Sequence, residues 1–291
     1  MENNINICFV VLHYITLQDT FRCIESIKKM DNQDRIRIVI VDNASPNGSG
    51  RELKSLYRED NHIHIMLNSD NVGYSKGNNM GCLYAKQRWN PEFYVVTNND
   101  IVFIQMDFCD KVIREYQKSE YAVLGMDIYC DRKGIHQSPL IKTIPNKYRV
   151  YVTIILNTLV LKLLPLPIVS TLIKNYFTRI EKKTTNALDY DQYQKNVCLM
   201  GACMVFSKKY MEKRKIIFWP ETKFYYEEFL LSLWCKKNKE DMIYQPEIQV
   251  LHKEGSATNC IDSQYKKRLE FRISKIIESA KIYVKELDAK N

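Results

Sequence analysis

The sequence predicts an α/β fold: a mostly parallel sheet with helices on both faces, extended by a helical region. Three observations carry this. Short apolar runs alternate with amphipathic segments through about residue 127. Each run is bounded by polar or turn residues, as strands buried on both faces are. The alternation then gives way to a basic, aliphatic stretch.

Taken in order, Ile7–Leu12 reads as a buried strand, and Leu17–Lys29 as a helix with Phe21, Ile24 and Ile27 at helical spacing. Arg37–Val41 is a second strand, Arg51–Tyr57 a short helix and Ile63–Leu67 a third strand. Tyr74–Gln87 (helix), Phe93–Thr97 (strand), Met106–Lys118 (helix) and Ala122–Met126 (strand) continue the series. Such alternation implies crossover connections, and ligands of such sheets sit outside the carboxyl ends of the strands. Further on, Lys142–Lys183 reads as helical, Val197–Phe206 as a strand and Phe229–Lys237 as a helix led by two glutamates. Ile248–His252 is a short strand and Ile261–Leu287 a long amphipathic helix. The expected organisation is one domain over residues 1–260, with a basic helical insert at about 142–183, then a C-terminal helix over 261–291.

The net charge of +9 is unevenly spread. Lys142–Lys183 holds eight basic residues and one acid, Glu181. Aliphatic runs between those charges point to an anionic membrane surface rather than to nucleic acid, which wants a stacking platform. The nine cysteines are scattered with no CxxC, so neither a disulfide framework nor a zinc site is expected. The start, MENNINICFVVLHY, lacks the basic region and cleavage site of a secretory signal. The greasiest segment, Val150–Ile173, is broken by Asn157, Lys162, Pro165 and Pro167, so no spanning helix is expected. The expected location is cytoplasmic, with peripheral attachment to the inner face of a membrane.

Five features carry chemistry. The strand Arg37–Val41 ends in Asp42-Asn43-Ala44-Ser45, where Asp42 accepts from a nucleobase imide, or else Asp42 or Asn43 orders the turn or caps the helix. Asn71–Gly81 opens a helix with Gly77 and Gly81 on one face. These glycines either make room for a nucleotide, with Lys76 and Asn78 beside it, or allow tight packing on the sheet. Asn98-Asn99-Asp100 follows the fourth strand and offers an oxygen ligand to a hard cation, or else an Asx-type turn. Glu227-Glu228 precedes a helix, where acids suit the dipole and one could serve as a general base. His252 ends the last short strand as a structural histidine or a metal ligand.

In this order, and with Met200-Gly201-Ala202-Cys203-Met204 before the glutamates, the features resemble the family 2 glycosyltransferases of the GT-A fold, in particular the bacterial rhamnosyltransferase-like branch. The likeness spans roughly residues 5–255. It implies a nucleotide-sugar donor, with UDP and dTDP sugars both in view, and Mg2+ or Mn2+ as cofactor. It implies that Asp42 binds the base, that Asn71, Lys76, Asn78 and Asn99 line the nucleotide pocket, and that Asp100 and His252 hold the metal. Glu228 falls at the position of the base, with Glu227 second. Two departures stand out: Asn98 replaces the first acid of the family's Asp-x-Asp, and the base is a glutamate where the family has aspartate.

The implied reaction is a single inverting displacement, with sugar passed to a glycan or lipid-linked saccharide in cell-surface polysaccharide synthesis. Tyr151, Ile154, Ile155, Leu159 and Leu163 would then sit in the headgroup region, with Lys147, Arg149, Lys174 and Lys182 on anionic lipid. Two other readings compete. A nucleotidyltransferase wants a glycine-rich basic loop after the first strand, and His13–Gln18 has neither glycine nor a basic charge of that kind. A non-catalytic membrane-docking protein with a degenerate pocket is kept in play by Asn98.

Overall fold

The computed structural model describes residues 6–164, 188–253 and 265–289. The element order is β1 (Ile7–His13), α1 (Leu17–Ile27), β2 (Ile36–Asp42), α2 (Ser49–Leu56), β3 (Ile63–Leu67), α3 (Tyr74–Arg88) and β4 (Phe93–Asn98). Then come β5 (Ile101–Phe103), α4 (Phe108–Ser119), β6 (Val123–Cys130), β7 (Ile135–His136) and α5 (Lys147–Leu163). The last elements are β8 (Gln194–Lys195), β9 (Cys203–Ser207), α6 (Lys208–Arg214), α7 (Glu227–Asn238), β10 (Met242–His252) and α8 (Tyr265–Asp288).

One sheet joins all ten strands, with the main path β3-β2-β1-β4-β9-β6-β10-β5. The first four strands on that path are parallel to one another. β9 enters antiparallel to β4 and β6, and β10 then runs parallel to β6. Apolar side chains on both faces make two cores. One gathers Ile24 and Ile27 of α1, Leu53 of α2 and Val112 of α4. The other gathers Cys82 and Ala85 of α3, Tyr210 of α6 and Leu231 and Cys235 of α7.

Gly77 and Gly81 settle one open alternative. A Cβ at Gly77 would stand 2.6 Å from Leu12 Cδ1, and one at Gly81 would stand 2.5 Å from Val10 Cγ1. These glycines press α3 against β1 and β2 and do not open room for a nucleotide. The expected strand Val197–Phe206 is also corrected. Only Cys203–Ser207 is strand; Gly201 and Ala202 lie in a turn, and Cys198 makes an isolated bridge to Ile141. β10 is longer than Ile248–His252, because an irregularity between Gln245 and Gln249 lets it keep pairing with β6.

A third core forms outside the sheet. Val150 of α5, Leu230 and Leu233 of α7, and Ala280, Tyr283 and Val284 of α8 pack together. Each fully buried aliphatic side chain such as Leu230 contributes about 1.5–3 kcal/mol. α7 is thus held between the sheet on one side and α5 and α8 on the other. Ile154 belongs to this packing, so its expected place on a lipid-facing surface is corrected. Tyr148, Tyr151, Ile155, Leu156, Leu159 and Leu163 are the exposed apolar residues of α5. The expectations for Lys174, Lys182 and the start of the C-terminal helix at Ile261 lie outside the described residues.

No helix among the described residues is long and apolar enough to cross a membrane. The eight cysteines among them are buried.

Candidate active site

The carboxyl ends of three parallel strands are level, because His13 pairs with Asp42 and Leu12 with Asn98. Strands lie about 4.8 Å apart, which puts Asp42 and Asn98 about 10 Å from one another. Ser45 folds back over the end of β2, its N–H and hydroxyl donating to Asp42 Oδ1 at 3.1 and 2.5 Å. Asp42 therefore orders its turn. A carboxylate has about four acceptor sites, so this leaves capacity for a further donor.

Asn43 ties that turn to the loop after β3. Its Nδ2 donates to Asn71 Oδ1 at 3.0 Å and to Gly73 O at 3.2 Å, and its Oδ1 accepts from Val72 N at 3.0 Å. Asn71 is exposed at the rim. His13 is buried with Nδ1 2.6 Å from Thr20 Oγ1 and Nε2 2.8 Å from Ser49 Oγ, and burial lowers its pKa. Ile15 and Ala44 both take positive φ at this edge, 64° and 59°. A β-branched residue there is under strain, and Ile15 is held by hydrogen bonds to Ser45 and Asn47.

Two expected pocket residues do not share a wall. Lys76 is exposed on α3, whereas Asn78 is fully buried and donates to Tyr74 O at 3.0 Å. Residues two apart on a helix point to nearly opposite sides. Asn99 also turns away, its amide donating to Thr16 Oγ1 and Thr20 Oγ1 at 2.8 Å each. It fastens the β4–β5 turn to α1, so its expected pocket role is corrected.

Asp100 and His252 do meet. β5 runs antiparallel to β10, with Ile101 opposite His252. That register leaves His252 Nε2 3.1 Å from Asp100 Oδ1. An octahedral ion with bonds of about 2.1 Å sets adjacent ligands about 3.0 Å apart. The observed spacing fits two neighbouring ligands on one such cation. Among the described residues, no third His, Cys, Asp or Glu joins them, so the remaining ligands would be water and substrate oxygens.

The glutamate pair lies elsewhere on the same edge, in a cavity of about 820 Å³. Asn98, Met200, Gly201, Glu227 and Glu228 line its sheet side, with Leu156 and Val160 of α5 and Arg272 and Ile276 of α8 opposite. Both acids occupy the first turn of α7. Tyr225 and Tyr226, just before it, take φ of 68° and 70° and add strain at the entry to the helix.

Glu227 is 3% exposed and lies 3.4 Å from the Ser75 hydroxyl, which meets Thr222 Oγ1 at 2.8 Å. Burial, then the neighbouring Glu228, pushes its pKa to about 8. Glu228 is half-buried; burial raises its pKa too, against hydrogen bonds from its own backbone and that of Gly201. A Cβ on residue 201 would lie 2.6 Å from Glu228 Oε1, so glycine there gives the carboxylate its seat. Tyr74 fixes that turn, its hydroxyl donating to Gly201 O at 2.5 Å.

The raised Glu227 has a thermodynamic signature. A folded pKa above the unfolded value means the native state binds more protons between the two. Stability is therefore full below about 4.5 and falls as pH rises towards about 8. Melting curves of wild type and Glu227→Gln should diverge over that window, the variant becoming the more stable by at least about 2–4 °C, the shift of one kcal/mol in a domain of this size. A difference that does not change with pH would contradict the assignment.

Acids at the carboxyl edge of this sheet, with a cavity against them, lie where α/β sheets of this kind bind their ligands. The family model for glycosyl transferase family 2 matches residues 8–215, and the chain belongs to that family. The fold is similar to that of S. aureus TarS 1-349, at 12% identity and TM-score 0.54 over 94% of this chain and 71% of that one. The same protein in complex with UDP gives 15% identity and TM-score 0.55 over 94% and 69%. Mannosyltransferase PcManGT from Pyrobaculum calidifontis, in complex with GDP-Man and Mn2+, gives 11% and 0.53 over 96% and 69%. No curated protein matches the chain in sequence.

Several residues at the site escaped the sequence reading. Tyr74 sat inside the glycine helix. Arg272 and Gln137, a partner of His252, had no local signal.

Proposed function

We propose that the chain is an inverting glycosyltransferase that moves a hexose from a nucleoside-diphosphate sugar to a glycan or lipid-linked saccharide in cell-surface polysaccharide synthesis. The observation that carries this is Glu228, half-buried on the wall of the cavity and held against the Gly201 backbone. Glu227 is almost wholly enclosed, and burial raises its pKa to about 8. Glu228 is the acid an acceptor can reach.

In this reading Asp42 and Asn71 bind the nucleotide at the end of β2, with Lys76, exposed on α3, as a further donor. The acceptor hydroxyl enters the cavity and donates to Glu228. Glu228 takes its proton as the oxygen attacks the anomeric carbon, and the bond from that carbon to the diphosphate oxygen breaks on the opposite side. Inversion follows from one displacement, and one base suffices. A divalent cation, Mg2+ or Mn2+, held by Asp100 and His252 would neutralise charge on the departing diphosphate.

UDP, dTDP and GDP sugars are the donors to try, rhamnose among them. GDP enters because PcManGT is seen with GDP-Man. Incubation with each donor and Mn2+, but without acceptor, should release nucleoside diphosphate slowly, and Asp100→Ala should abolish the release. No release from any donor would favour the non-catalytic docking reading.

The cavity wall supplied by Leu156, Val160 and Ile276 favours an acceptor with an apolar portion. The exposed apolar residues of α5, with Lys147, Arg149 and Lys162 beside them, fit an anionic membrane. Co-sedimentation with anionic liposomes should weaken when Lys147, Arg149 and Lys162 are reversed to glutamate. Unchanged binding would remove the membrane from the account.

A further inference from the structure

Gln137 lies in none of the motifs that the sequence displays, yet it controls how His252 is presented. It follows β7, and its N–H donates to Ile128 O at 2.8 Å, which pins its backbone to β6. Its side-chain Oε1 stands 2.6 Å from His252 Nδ1. An amide oxygen accepts and cannot donate. The short contact therefore places a proton on Nδ1, and in the neutral ring this leaves the lone pair on Nε2. That lone pair points at Asp100 Oδ1, 3.1 Å away. Such a pair is held together either by a proton on Nε2 or by a metal ion, and only the neutral ring can give Nε2 to the metal.

We propose that Gln137 is a positioning residue for the cation site. It fixes the tautomer and ring orientation of His252, so that Nε2 and Asp100 face one divalent ion together. Outer partners of this kind, a carbonyl or carboxylate on the far nitrogen of a ligating histidine, are worth about 10–100-fold in metal affinity. The opposite seating of the amide, NH2 towards Nδ1, would put a proton on Nε2 and spoil the site. Burial of His252, 5% exposed, keeps water from taking over the orienting role.

This inference rests on Asp100 and His252 being the cation ligands. The test titrates MnCl2 into the intact protein, with UDP, dTDP and GDP present in turn, and reads free Mn2+ by its electron paramagnetic resonance signal. Gln137→Leu removes the acceptor, and Gln137→Glu keeps one. Gln137→Leu should weaken Mn2+ binding about 10–100-fold, and Gln137→Glu should stay within a few-fold of wild type. Nucleotide binding without metal should be the same in all three. Wild-type affinity in Gln137→Leu, or an equal loss in Gln137→Glu, overturns the role. His252→Ala separates the two levels. If it too binds Mn2+ like wild type, the ligand assignment falls and the inference falls with it. If it loses binding while Gln137→Leu does not, only the role of Gln137 is wrong.

Discussion

Glu228→Gln should lower kcat by about 10²–10⁴-fold, the usual worth of a positioned general base. The amide keeps the size of the side chain and can still hydrogen-bond, so fold and donor binding should hold. What it cannot do is take the acceptor's proton. The loss should therefore fall on kcat, with donor KM little changed, and steady-state kinetics separate the two. Glu227→Gln makes the contrast. At neutral pH it replaces an acid that the fold already keeps protonated, so its cost to kcat should be far smaller. Wild-type activity should drop as pH falls, because the raised pair takes up protons, and the apparent pKa belongs to the pair. Equal losses in the two variants would mean that the base has been assigned to the wrong glutamate or to neither.

The second large effect belongs to the other end of the site. Asp100→Ala and His252→Ala each remove one of the two side chains that meet at 3.1 Å. Both should lose most of the Mn2+-stimulated rate, and the double variant should lose little more than either alone. Residues that act as a unit are non-additive in this way. A double variant whose loss equals the product of the two single losses would show that the residues work separately. Donor turnover against MnCl2 concentration, measured in all four proteins, gives the answer.

The first half of the fold was legible because its strands are apolar runs of five to seven residues ending in turn chemistry. The period and the punctuation agree there. Sequence could not show that β9 turns antiparallel, since pairing direction depends on partners far away in the chain. Nor could it place Gly201 in a turn, because Val197–Phe206 reads as one apolar run. The glutamates were visible as residues, but not their difference: only packing reveals that Glu227 is nearly enclosed beside Ser75 while Glu228 is half-buried on the same cavity wall.

Asp100 and His252 are 152 positions apart. Their meeting depends on three-residue β5, too short to leave a pattern of its own. The glycines of α3 went the other way. Their spacing was read as close approach, to a nucleotide or to the sheet, and the structure shows the sheet, through Leu12, Val10 and Val41. Lys76 and Asn78 illustrate a simpler limit: neighbours in a motif need not be neighbours in space.

The central claim is that a donor nucleotide and a divalent cation share the edge where Asp42 and Asp100 lie. Thermal melting of wild type and Asp100→Ala with UDP, dTDP, GDP and the corresponding sugars, with and without Mn2+ or Mg2+, tests it most directly. A ligand at 100 times its Kd adds about 2.7 kcal/mol, a readily measured shift. The account predicts that one nucleoside diphosphate stabilises wild type strongly only when the cation is present, and that Asp100→Ala loses that metal-dependent part. Stabilisation indifferent to metal and to Asp100, or none from any nucleotide, would contradict it.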